Sequence, residues 1–107
     1  MNSKEFSVAC KNEMKLQYKD YTDGSGSTAV SKLLLKLKLN SEQTGIANKL
    51  IETILIDTYY NLLLSLDGAS CLGGVQQSYK LFDEKGKLVF QVGELEGDAY
   101  EAFQKNG

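Results

Sequence analysis

Three stretches of this 107-residue chain hold reactive side chains at spacings that chemistry uses. Ser70-Cys71-Leu72-Gly73-Gly74 has the outline of a nucleophile loop, in which a thiolate would attack a carbonyl. Glu94, Glu96, Asp98 and Glu101 crowd carboxylates together near the C-terminus, as paired acids do in glycoside hydrolysis. Gly24-Ser25-Gly26-Ser27-Thr28 offers backbone N–H groups ahead of a helix-compatible segment, the raw material of a phosphate cradle.

Composition removes most of this chemistry. The chain has no His, no Trp and no Pro, and every one of its 12 basic residues is Lys. Without His, neither a Ser-His-Asp nor a Cys-His arrangement can be built, and the commonest metal ligand is missing. Cys71 would depend on Lys80 or a helix end to lower its pKa, so a small thiol packed beneath a glycine loop is the expectation. The glycine-serine loop lacks the Gly-Lys-Ser/Thr ending of a P-loop and reads as surface. Asp20, Thr22 and Asp23 do not meet the spacing of a calcium loop. Two cysteines alone cannot fill a structural zinc site. No catalytic residue, metal or cofactor is therefore expected, and Glu94, Glu96, Asp98 and Glu101 read as an acidic contact surface for a basic protein.

The overall charge of −2 conceals an uneven split. Residues 1–49 hold eight Lys against five acids, whereas residues 50–107 hold four Lys against nine acids. An acidic second half disfavours nucleic acid and anionic membrane and favours a basic partner. Cys10 and Cys71 have no paired spacing, and the first residues contain no apolar stretch of the signal-peptide kind. With no apolar run near 18 residues, the expected setting is cytoplasmic, with both thiols reduced.

The elements that must position these groups follow from hydrophobic spacing. From Ser41 onward, Ile46, Ala47, Leu50, Ile51, Ile54, Leu55, Tyr59, Leu62, Leu63 and Leu66 keep an unbroken helical rhythm, ended by Asp67-Gly68. Ile56, Tyr60 and Leu64 add a second apolar stripe. Only Asp57, Asn61 and Ser65 remain as a polar line, so this spine helix is expected to be wrapped by other elements. Asp57 and Asn61 are candidate partner contacts, with Tyr60 as their aromatic anchor. The stripe Ile56-Tyr60-Leu64 would otherwise face a second copy of the chain. Phe6, Ala9, Cys10, Met14 and Gln17 predict a helix over 4–19. Residues 28–39 fit a helix or a strand; helix is preferred because Ser27 or Thr28 can cap it and Leu and Lys are good helix formers. Tyr79–Phe82 and Lys87–Val92, flanking Asp83-Glu84-Lys85-Gly86, predict a β-hairpin. A short last helix is expected from Gly97-Asp98 through Tyr100 and Phe103. The sum is a single α+β domain over 1–107: a long central helix, flanking helices, a C-terminal β-hairpin and a terminal helix.

The block Asp57-Thr58-Tyr59-Tyr60-Asn61-Leu62-Leu63-Leu64-Ser65-Leu66-Asp67-Gly68, followed by Ser78-Tyr79-Lys80-Leu81-Phe82-Asp83, a turn and an acidic terminal helix, resembles small bacterial proteins. Some of these are uncharacterised and others are immunity proteins of polymorphic toxin systems. The resemblance spans roughly residues 50–107. It implies a stoichiometric inhibitor that occludes a toxin protein and performs no catalysis. The rival expectations are a homodimeric structural or regulatory module and a small-ligand binder.

Overall fold

Among the described residues, four α-helices and a closing π-helical turn build the fold. The computed structural model describes residues 1–105; Asn106 and Gly107, included in the expected 1–107 domain, lie outside the described residues. Helix α1 covers Ser3–Thr22, α2 Ala29–Leu37, α3 Ser41–Leu66 and α4 Glu94–Tyr100, running into a π turn at Glu101–Lys105.

The helix starts follow capping chemistry. Asn2 caps α1 and Asn40 caps α3, each in a reciprocal box with the side chain three residues on, Glu5 and Gln43. Thr28 accepts from Ser31 N and starts α2, so residues 28–39 resolve as helix. Lys38 then adopts a left-handed φ of 51°, which stops α2 and turns the chain into α3. Gly68, at φ 81°, ends the spine where Asp67-Gly68 predicts it.

The expected β-hairpin does not form, and the chain is not α+β. The structure is 64% helical, with no strand or sheet among the described residues. Around the predicted turn only one isolated bridge, Phe82 to Leu88, remains. The turn itself is made: Gly86 N donates to Asp83 O (3.0 Å), Asp83 N to Lys87 O (2.8 Å) and Val89 N to Leu81 O (2.8 Å). The arms fail because the flanking residues are claimed elsewhere. Tyr79 N donates to the Leu66 carbonyl at the end of α3 (3.1 Å), and Gln91 N donates to the Glu94 carboxylate. Val89 and Phe90 are adjacent and both buried. A pleated strand sends neighbouring side chains to opposite faces, so a hairpin with one face in water would not bury both. A two-stranded hairpin is marginal in water, and core burial outweighs it.

Asp83 organises that turn, accepting hydrogen bonds from Lys85 N (2.9 Å) and Lys87 N (3.0 Å). The Lys87 N–H foremost, with the Lys85 N–H, holds its carboxyl below the ordinary aspartate range. A depressed folded-state pKa contributes stability that is complete above the unfolded value and lost as pH falls through the folded one. In an NMR titration the Lys85 and Lys87 amides are expected to shift in one step, more acidic than that of free aspartate. Asp83→Asn, which keeps an acceptor oxygen, should remove the step; amides that titrate unchanged in that variant would show another group to be responsible.

The core lies at one end. Its buried apolar members are Met14, Leu63, Val89, Phe90, Leu95, Ala99 and Phe103, with Phe6, Cys10, Leu55, Ile56, Tyr59, Tyr60, Leu66, Leu81 and Ala102 packed around them. Tyr59 stacks on Phe103 with centroids 6.1 Å apart, and its hydroxyl donates to Gln17 Oε1 on α1. Neither α2 nor any residue of α3 before Leu55 belongs to this core. Packing against the core is thus confined to the second half of the spine, the half whose extra apolar stripe led to the expectation that other elements wrap it. The molecule is long for its size, 46 × 29 × 25 Å with a radius of gyration of 16.2 Å. A compact domain of this length has a radius of about 13 Å.

Candidate functional site

Two surfaces hold the residues singled out from the sequence, and they do not converge. The first is the outer side of α4 and the π turn. Leu95, Ala99 and Phe103, spaced i, i+4, i+8, are 0%, 0% and 1% exposed. Glu94, Glu96 and Glu101 are thereby left to solvent and Asp98 half-buried at the edge. Glu94 also accepts from Gln91 N, and Glu101 lies 3.4 Å from Lys105 Nζ. These carboxylates sit on a firmly docked element, because α4 is tied to the end of α3. Its N-cap is Gly93, which has no side chain to cap it. Instead the buried Asp67 carboxylate accepts from Gly93 N (2.7 Å) and Glu96 N (2.9 Å). Negative charge at a helix N-terminus satisfies orphan N–H groups and opposes the helix dipole favourably.

The second surface is the outer face of α3. At about 100° per residue, Leu55, Tyr59, Leu63 and Leu66 share the face turned to the core. Ile46, Leu50, Ile54, Asp57 and Asn61 lie opposite, all exposed. Tyr60 is half-buried and packs against the core, as does Ile56, while Leu64 is half-buried beside them. Ser65 also leaves the expected polar line: it is buried, its hydroxyl lying 3.0 Å from Asn61 O and 3.1 Å from Cys71 O.

The reactive-looking loops are tied by local hydrogen bonds. Cys71 is exposed rather than packed under the glycines, and its thiol donates to Gln76 Oε1 (3.2 Å). Cys10 is half-buried, and burial pushes its thiol pKa up, away from the thiolate. Both thiols are free. In the glycine-serine loop, Gly26 N donates to Ser31 Oγ (2.8 Å) and Ser25 N to Asp23 Oδ1 (2.8 Å), so local side chains already use these donors. Among the described residues no three Cys, Asp or Glu gather as a metal site would require.

One apolar cleft, of about 200 Å³, opens between the end of α1, α2 and the start of α3, with Tyr21, Leu34, Leu35, Leu39 and Ala47 in its walls. It is smaller than the roughly 300–1,000 Å³ that small-molecule sites occupy and brings no charged group but Lys38 to its rim. Among the described residues no helix is long and apolar enough to cross a membrane. No protein-family model, curated protein or solved structure matches the chain.

Sequence reasoning missed two features. Asp67 read only as a helix stop, because its partners lie 26 and 29 residues away. Ile46, Leu50 and Ile54 share the helical rhythm of the residues that do reach the core, and their spacing gives no sign that they stay exposed.

Proposed function

We propose that the chain is a non-catalytic, cytoplasmic protein-binding module of the immunity type, which binds a basic toxin protein and occludes it. The observation that carries this reading is the acidic surface of α4 and the π turn, where Glu94, Glu96, Asp98 and Glu101 ride on an element locked by Asp67 and by three fully buried side chains. A surface ordered before binding loses little conformational entropy on association, and its sign steers a basic partner onto it. The resemblance carried by residues 57–68 and 78–83 points the same way.

Affinity capture of the tagged chain from its host, with mass spectrometry of the eluate, tests the reading. One stoichiometric basic protein is expected, its binding weakened by added salt. Glu96→Lys combined with Asp98→Lys should reduce its affinity by at least about tenfold. Cys71→Ser should leave it unchanged. Recovery of the chain alone, or a partner indifferent to the charge reversal, would sink the acidic-surface reading.

A further inference from the structure

The outer face of α3 carries two adjacent rows of side chains at i, i+4 spacing, both exposed: Ile46, Leu50, Ile54 and, beside them, Lys49, Thr53, Asp57. Ile46, Leu50 and Ile54 are 65%, 59% and 53% exposed, and no element among the described residues covers them. We propose that a second copy of this chain does so, in an antiparallel pair of α3 helices about a two-fold axis near Thr53.

Three observations lead to a second copy rather than to some other occupant. The first is area. The molecule exposes 7121 Å². A folded monomer of its mass exposes about 5,900 Å², so the excess is about 1,200 Å². A standard interface needs about 800 Å² from each partner, less than the excess taken over the whole molecule.

The second is the spacing of the rows. Rows at i, i+4 pack into the matching grooves of a like helix at a crossing angle of about −50° and a separation of about 8–10 Å.

The third is charge. Lys49 and Asp57 stand four residues either side of Thr53 in one row. A two-fold axis there sets each Lys49 against Asp57 of the second copy, making two equivalent ion pairs. Lys49 is 75% exposed and touches only Glu52 in its own chain (3.0 Å), while Asp57 has no hydrogen bond or ion pair among the described residues. Burying Thr53 strands no donor, because its hydroxyl already donates to Lys49 O (2.8 Å). A small ligand finds no concavity on this ridge. The face lies opposite the core side of α3, so this inference stands independently of the toxin-binding reading.

Sedimentation or native mass spectrometry of the full chain is the test. A species of twice 11.8 kDa is expected at micromolar concentration. Leu50→Lys should raise the dimer dissociation constant at least about thirtyfold. It should leave the circular dichroism unchanged, since Leu50 contributes nothing to the core. Lys49→Asp and Asp57→Lys should each weaken the dimer about tenfold, and the double exchange should restore it to within about threefold. A chain that stays monomeric would overturn the proposal and leave the ridge to a partner of different sequence. So would a dimer indifferent to Leu50→Lys, or a double exchange no tighter than the single ones.

Discussion

Phe103→Ala is expected to cost about 3–5 kcal/mol of unfolding free energy, the range for emptying a fully buried aromatic site. Phe103 is the last apolar side chain of the core, yet it touches both long helices: Tyr59 of α3 stacks on it, and Lys11 of α1 places Nζ 5.3 Å from the ring centroid. Removing the ring leaves the Tyr59 face unpacked and Lys11 without its cation–π contact. Domains of this size have about 5–15 kcal/mol in all, so the variant should be close to unfolding at room temperature. Urea titration followed by far-UV circular dichroism checks it. A loss under about 1 kcal/mol would mean that the π turn is dispensable to the core.

Asp67→Ala should be the next most damaging change, at about 2–4 kcal/mol. Hydrogen bonds to a charged acceptor are worth about 1.5–3 kcal/mol each; two are lost, and water reaching the exposed Gly93 and Glu96 offsets part of that loss. The effect should be local before it is global. Hydrogen exchange at Gly93 and Glu96 is expected to accelerate more than exchange within α1. Asp67→Asn, retaining one acceptor oxygen, should recover part of the loss. If Asp67→Ala and Asp67→Asn unfold at the same urea concentration as the native chain, the anchor contributes nothing. Because α4 presents Glu94, Glu96 and Asp98, Asp67→Ala should also weaken capture of a basic partner although Asp67 itself is buried.

The helices were largely legible because local chemistry writes them. Asn40 with Gln43, Thr28 with Ser31, and the Asp67-Gly68 stop are signals confined to a few residues, and the structure uses each of them. The cap of α3 sits one residue earlier than the Ser41 start implies, since Asn and Ser both cap well and Gln43 completes the box only with Asn40. The start of α4 at Glu94 rather than Gly97 was hidden, because its cap comes from Asp67 across the fold. The hairpin failed for a similar reason. Asp83-Gly86 makes its turn from local bonds, but whether the arms pair depends on competition from Leu66, Glu94 and the core, all outside the segment.

The candidate sites divide along the same line. Residue types alone removed the His- and Arg-dependent chemistries and marked the four C-terminal acids, because those are properties of side chains in any conformation. Periodicity established that the spine helix is apolar on more than one face, yet helical spacing is blind to direction. Only the packing of α1, α4 and the 89–90 segment on the second half of α3 made Leu55, Tyr59 and Leu63 the inner face. The same packing turned Tyr60 towards the core and left Ile46, Leu50 and Ile54 in water. Burial is a relation between elements distant in the chain, and a one-dimensional pattern records that a face is apolar without recording what meets it.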